Sequence, residues 1–530
     1  MTKTIPFSNI DSAWYYMEHP TNLMMISGIM LLKGEMDFER FKKTIEYRLL
    51  PLDRFRMRAV KSRVPLRNPI WEPDPYFDLD WHVQRIALPF PGDETILREV
   101  VSNYMSTGLD FAKPLWQFHL IEGYQEGPVI MGRLHHSIAD GIALVAVMLN
   151  LMDFVADAPL KPPKDEQPGA SWNPLRGLTA PARAAIKSGQ KLAQTLAHES
   201  MEALTNPTHA LDLVGKAATG AATFGHVVLM PPDPPTPFKG PLGVKKLPAW
   251  SDVIPLADVK KVSKVMGAKI NDVLLACVAG GLRRYLLEKG VNVEGMNFRA
   301  VVPVNLRPAE RALELGNEFS LVFLPLPVGI SDPLERLFTL KKRMDAIKDS
   351  PEAMVNFGIL NMVGISPGQI ADQIVNLFGT KATAVMTNVP GPPMALYLSG
   401  CKLDNLMFWV PQSGRLGLGV SIFSYAGKVT LGVVTDAGLI PDPQAIIDGF
   451  EDEFEALMAL VRQAEAVEAE AAARKSELEA SIAELERMEA ELVKMELESE
   501  TERCRGTTQK GTQCKNTAQP GSDYCHIHQR

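Results

Sequence analysis

Two adjacent histidines followed at a fixed distance by an aspartate and a glycine, Leu134-His135-His136-Ser137-Ile138-Ala139-Asp140-Gly141, are the residues of this chain best suited to do chemistry. A neutral imidazole titrates near cellular pH, so it can take a proton from a hydroxyl or thiol as that group attacks an electrophile. Asp140 can orient the ring, brace the loop or cap the helix that follows, and Gly141 offers a bare backbone N–H to a developing oxyanion. The same residue types also suit packing or metal ligation, so this spacing alone leaves site and scaffold both open. Residues 129–134 read as a short apolar strand and residues 142–154 as a buried helix, which mounts the histidines where a strand ends and a helix begins. Alternation along a strand sends the two rings to opposite sides, so only one can face a common cavity, and His136 is the expected one.

The elements that must position this pair read as follows. Residues 8–18 form a helix with Asp11, Trp14 and Glu18 at helical spacing, and residues 23–32 a strand. A helix over 38–49 and strands over 55–60 and 77–89 follow. His82, in the last of these, is a second catalytic candidate, although a surface or strand histidine is the simpler reading. Strands 116–122 and 129–134 flank a hairpin at Gly123 to Gly127; Trp116 is either core or a wall of a substrate channel. Residues 159–168 are a proline-rich linker, and residues 180–228 a helical stretch with Arg183, Lys187 and Lys191 on one side. That stretch suits an anionic bilayer or a crossover packed against both halves. The proline run over 231–241 closes the connection. Helices over 256–266 and 270–288 come next, with Asn271 a plausible N-cap. Strands are expected over 300–304, 319–326, 384–388, 406–410, 417–425 and 428–435, the last two joined at Ala426-Gly427. Strand and helix alternate in both halves, which predicts two α/β domains of mixed sheet.

A chain of 530 residues is too long for one core, so two or three domains are expected. The N-terminus lacks the apolar stretch of a signal peptide and no apolar run reaches membrane-spanning length, so a cytoplasmic protein is expected. A net charge of −7 argues against a nucleic-acid partner. Three of the five cysteines crowd into the last thirty residues, where Cys504, Cys514, Cys525 and His528 make a candidate closed, structural zinc set. Such a set serves recruitment or assembly; a disordered reduced tail is the alternative. Ahead of it Leu478, Leu485 and Leu492 recur every seven residues with Met488 and Met495 filling the alternate positions, a coiled-coil pattern that offers self-association, or else a lone solvated helix.

The histidine motif, with Pro114-Leu115-Trp116 before it and Asn271-Asp272, Pro303-Val304-Asn305-Leu306-Arg307, Gly316-Asn317 and Asn388-Val389-Pro390-Gly391-Pro392 after it, resembles the bacterial wax ester synthase/diacylglycerol acyltransferase family. The likeness spans about residues 5–460. It implies two chloramphenicol acetyltransferase-like domains, residues 1–158 and 243–460, joined by a helical crossover over 159–242, with the active site in a tunnel between them. The acidic helix over 461–503 and the Cys/His tail over 504–530 depart from the family. The resemblance implies acyl transfer from the co-substrate acyl-CoA to a fatty alcohol or diacylglycerol, with no catalytic cofactor. His136 is then the base, with His135, Asp140 and Gly141 beside it, and Asn271 and Asp272 lie near the channel, where Trp116 is also a candidate. Asp140 is assigned an architectural role, paired with an arginine such as Arg307. Oily substrates imply work at a membrane or lipid-inclusion surface. Two alternatives carry the same motif: a condensation domain using carrier-bound substrates, for which neighbouring carrier domains are expected, and an inactive scaffold at lipid inclusions.

Overall fold

The computed structural model describes residues 4–530 apart from 63, 65–66, 163–228, 308–314, 349, 351, 366–372, 374, 378, 413, 502, 520 and 529–530. The basic stretch read as helical over 180–228 therefore lies outside the described residues. The chain divides into two compact units, Met1–Met458 and Ala459–Arg530.

Two mixed sheets form the frame of the first unit. One runs in the order Tyr397–Leu398, Cys401–Trp409, Met25–Lys33, Val129–His135, Trp116–Glu122, Val83–Ala87. The other runs Phe319–Leu326, Phe298–Asn305, Ala384–Pro390, Leu418–Tyr425, Lys428–Asp436, Lys246–Trp250, with Ile254–Pro255 also paired to Lys428–Asp436. A small three-stranded sheet joins Ile5–Pro6, Ile70–Pro73 and Met57–Val60. Val129–His135 is apolar along most of its length because both faces are covered, which leaves it central in its sheet. The hairpin at Ala426-Gly427 turns tightly, with both residues in the left-handed region at φ 46° and 80°.

Cys401–Trp409, from the C-terminal half, pairs antiparallel with Met25–Lys33 and so completes the sheet that carries the histidines. That sheet is drawn from both of the stretches expected as separate domains, 1–158 and 243–460. The boundary expected at residue 460 lies next to the division between the two units, within a helix that runs Gln444–Thr501. The proline run over 231–241 packs onto the second sheet: Phe238 is fully buried, and Asp233 pairs with Arg299 at 2.8 Å.

Two expected strands open on helical turns instead. Residues 55–60 begin within the 3₁₀ turn Asp53–Arg56, and residues 77–89 begin with the short helix Leu79–His82, whose N-cap Asp78 accepts from the Asp80 N–H at 3.0 Å. Among the described residues no single helix is long and apolar enough to cross a membrane. The bent pair Leu256–Val265 and Ile270–Glu288 passes by composition, and the second of these is a buried core helix.

In the second unit the helix continues to Thr501 with every described side chain from 466 to 498 exposed, and residues 503–528 fold around Cys504, Cys514 and Cys525.

Candidate active site

The histidines end the strand Val129–His135 and are pinned by their own backbone. His135 N–H donates to Leu115 O at 3.0 Å and His136 N–H to Met24 O at 2.7 Å. Alternation then separates the rings. His135 turns into the core, its Nδ1 accepting from the Ser137 N–H at 3.1 Å, its Nε2 3.5 Å from Glu18 Oε2, and its ring edge-on to Phe111. His136 lines the large cavity of this unit, lying flat against Trp14 at 4.2 Å between ring centroids.

The polar partners of His136 fix which nitrogen carries its proton. Asn317 Nδ2 sits 2.7 Å from Asp11 Oδ1 and 2.8 Å from the His136 carbonyl, two groups that only accept, so the amide nitrogen must face them. Its Oδ1 therefore faces His136 Nδ1 at 3.0 Å, and Nδ1 is the protonated nitrogen. The lone pair is left on Nε2. Burial, reinforced by the neighbouring His135, pushes the His136 pKa down to about 4, so the ring is neutral at pH 7. Asp11 is itself fully buried and is balanced by Arg54, 3.1 Å away, which also donates to the carbonyls of Ser137 and Ile138 at 3.2 and 2.7 Å. Arg54, Asp11, Asn317 and His136 thus form one buried relay.

Asp11 and Trp14 come from the helix Asn9–Tyr16, whose N-cap Ser8 accepts from the Asp11 N–H. Three residues apart, they share one helix face, as the helical spacing of Asp11, Trp14 and Glu18 in the sequence implies, although that spacing gave them no role at the site. Asn317 and Arg54 had no assigned role in the sequence, although Gly316-Asn317 stood out as a motif. Gly316, at φ 120°, makes the turn that brings Asn317 to the histidine.

Asp140 does not touch His136. Its Oδ1 accepts from the Ala143 N–H at 3.0 Å and caps the helix Gly141–Leu151, while its Oδ2 takes Arg307 Nη2 at 2.8 Å and the Glu318 N–H at 3.1 Å. Gly141 opens that helix on the cavity wall, with its N–H in the first turn, where no intrahelical carbonyl reaches. Asn271 also lines the cavity, accepting from Asn388 Nδ2 at 2.7 Å. It is not the N-cap expected: Lys269 holds that position and Asn271 lies one residue inside. Asp272 is corrected as a channel residue, because its carboxylate turns back to accept from the Lys269 N–H at 2.9 Å and lines no part of the cavity. Trp116 is likewise core rather than wall, fully buried, with its Nε1–H donated to Phe55 O at 2.9 Å. His82, neither catalytic nor on the surface, stacks on Trp116 at 4.4 Å and donates Nδ1–H to the Trp116 carbonyl at 2.7 Å.

The cavity has a volume of about 420 Å³, within the range of ligand pockets. Its walls come from both sheets, including Phe118, Leu134 and Leu406 from the first and Leu321, Met386 and Phe423 from the second. Gly28 and Gly132 face each other in register across two adjacent strands and both line it, and the missing side chains leave room for the Phe118 ring and for the strand at Met407-Phe408. The result is a mainly apolar chamber with one imidazole, a few amides and, among its charged lining, Asp140, Lys269 and Lys348, suited to deprotonating a hydroxyl on an oily molecule.

In the second unit, Cys504, Cys514, Cys525 and His528 bring their ligand atoms within 4.8 Å of one another. His528 Nδ1 lies 3.3 Å from the sulfurs of both Cys504 and Cys525, and its Nε2 is 3.1 Å from Thr507 O. A ring that donates Nε2–H to a carbonyl presents Nδ1 as its ligand.

Residues 7–274 match the wax ester synthase/diacylglycerol acyltransferase catalytic domain, and residues 315–458 match the C-terminal domain of the same family. A Mycobacterium tuberculosis (strain CDC 1551 / Oshkosh) protein named as a diacylglycerol O-acyltransferase is 29% identical over 471 residues, which cover 85% of this chain and 89% of the relative. Another, from Mycobacterium tuberculosis (strain ATCC 25618 / H37Rv), is 29% identical over 456 residues, covering 85% and 94%. Among solved structures, the wax ester synthase/diacylglycerol acyltransferase from Marinobacter aquaeolei VT8 shares the fold at a TM-score of 0.62 and 22% identity, covering 86% of this chain and 99% of its own. The first condensation domain of the calcium-dependent antibiotic synthetase shares it at 0.56 and 13% identity, covering 87% and 97%. The two family domains together account for most of the first unit, and the chain belongs to the wax ester synthase/diacylglycerol acyltransferase family of enzymes.

Proposed function

We propose that this acyltransferase esterifies a long-chain alcohol or diacylglycerol with the acyl group of acyl-CoA, with His136 as general base in direct attack. The observation that carries this reading is the tautomer lock: Asn317 holds the proton on Nδ1 and leaves the Nε2 lone pair on a histidine that lines an apolar cavity. In the reaction Nε2 takes the acceptor's hydroxyl proton as the oxygen bonds to the thioester carbonyl carbon. The tetrahedral oxyanion then collapses, the carbon–sulfur bond breaks, and the leaving thiolate takes the proton back from the imidazolium, releasing ester and free CoA. The Gly141 N–H, in the first turn of its helix, is the group we assign to the oxyanion. Asn271 and Asn388, which also line the cavity, supply further polar contacts. The enzyme works in the cytoplasm at the edge of a membrane or lipid inclusion, where such acceptors partition.

The test is release of CoA and formation of ester when the purified chain is given palmitoyl-CoA with hexadecanol or with a diacylglycerol. His136→Ala is expected to lower turnover on the order of 10²- to 10⁴-fold with an unchanged circular dichroism spectrum. Unchanged ester formation by that variant would remove the mechanism.

For the tail we propose a structural Zn²⁺ held by Cys504, Cys514, Cys525 and His528. The donor set fits a closed tetrahedral ion, and its last imidazole nitrogen is anchored to Thr507. A segment this short cannot otherwise bury a core. Metal analysis of the purified chain is expected to give one zinc per molecule, lost in Cys514→Ser together with protease resistance of residues 503–528. Acyl transfer should persist in that variant, since all four positions on the ion are taken by protein.

A further inference from the structure

The helix beyond the first unit carries an exposed apolar stripe flanked by acidic residues. Leu478, Leu485 and Leu492 occupy one heptad position (a) and Met488 and Met495 another (d), and all five side chains are between 56% and 65% exposed. With Ser481 the one polar residue among the six a and d positions, the stripe spans about 27 Å of helix and is a seam for a second helix. Whether that helix belongs to another copy is decided by the residues beside the seam. The g positions are Glu477, Glu484 and Glu491, and the e positions are Ile482, Glu489 and Glu496. The two basic residues between 477 and 498, Arg487 and Lys494, sit at c and point away from the seam. In a parallel pair g meets e of the partner, and in an antiparallel pair g meets g and e meets e. Either orientation of a second copy sets glutamate against glutamate, where coiled coils ordinarily place opposite charges.

We propose that residues 478–495 bind an α-helix of another protein whose own apolar heptad seam is flanked by lysine and arginine. Self-association, which the leucine repeat alone suggests, is what the flanking charges select against.

The experiment uses the full-length protein and three fluorescent peptides about four heptads long. One has leucine at a and d with lysine at e and g. The second has the same seam with glutamate at e and g. The third scrambles the first, keeping composition without a seam. The lysine-flanked peptide is expected to bind at least roughly tenfold more tightly than either other peptide, as several exposed charge pairs turned from repulsive to attractive would give. Its affinity should weaken as salt rises, and Leu485→Glu with Leu492→Glu should abolish binding while acyl transfer is retained. Equal binding of the scrambled peptide would reduce the effect to charge alone and overturn the proposal, as would no binding of the lysine-flanked one. Sedimentation as a dimer that Leu485→Glu with Leu492→Glu converts to monomer would overturn it in favour of a second copy.

Discussion

At the scale of single residues, the site turns on the Asn317 amide, which holds the ring that the sequence offered to the Asp140 carboxylate. Asn317 accepts from His136 Nδ1 without adding charge, and Asp11 acts on the ring only through it. The imidazole is therefore oriented without being made strongly basic, which agrees with a pKa pushed down to about 4 by burial. Asn317→Leu keeps the volume and removes the acceptor, freeing the ring to place its proton on Nε2. Turnover is expected to fall on the order of 10²-fold, with little change in KM for acyl-CoA, because the lost interaction orients the base rather than binding substrate. Steady-state kinetics on the purified variant checks it; an equal rise in KM would instead mark Asn317 as a binding residue. His136 was legible in the sequence because histidine chemistry and strand alternation act over neighbouring residues. Asn317 was not, because its role depends on a contact across 181 residues that no local pattern encodes.

At the scale of elements, Asp140 shows how one side chain ties a helix to the opposite sheet. It caps Gly141–Leu151 with one oxygen and neutralises the buried Arg307 with the other. Asp140→Asn retains the cap and loses the charge, leaving Arg307 with the Gly316 carbonyl at 2.8 Å and the Glu318 carboxylate 3.7 Å away. Breaking a buried ion pair costs roughly 3–5 kcal/mol, and Glu318 should hold the loss near the lower end. Asp140→Ala should lose about 1 kcal/mol more, the usual worth of a cap. Urea unfolding of the two variants separates these contributions; identical midpoints would mean that the cap contributes nothing. Most of the longer strands were readable because apolar runs and turn residues lie within short windows, and Ile270–Glu288 and Phe319–Leu326 begin and end where expected; the strands Ile70–Pro73 and Lys246–Trp250 and the helices Glu94–Met105 and Pro333–Lys348 were not expected. Asn271 misled as a cap, because the cap lies two residues earlier at Lys269, where Asp272 reaches back to the Lys269 N–H. Glu352–Ile365 gave no amphipathic signal because it is apolar on nearly every side: it packs between the strand Phe319–Leu326 and the helix Asn9–Tyr16.

At the scale of the whole first unit, the site exists because two halves of the sequence are interleaved. Cys401–Trp409 enters the histidine sheet, Asn317 reaches His136, and Arg307 reaches Asp140, so opening the unit would dismantle both the base and its support. This construction buries titratable groups, and the burial sets an acid limit on stability. Burial holds His82, His119 and His136 at about 4 in the folded chain, against 6.5 when unfolded. Between those values the unfolded chain binds protons that the native chain refuses, so stability falls as pH drops below 6.5. Three histidines together give at most about 4 kcal/mol per pH unit. Asp140, Asp233 and Asp272 act the other way, since burial raises their carboxyls and the native chain takes those protons first, but this offset operates only near the carboxylate range. Net destabilisation is therefore expected from about pH 6.5 downward, steepest near pH 5. The slope of unfolding free energy against pH, from urea titrations between pH 7 and 4.5, should report uptake of about two to three protons on unfolding. A flat profile down to pH 5 would mean that these imidazoles are already charged in the native state, and a charged His136 could not serve as the base.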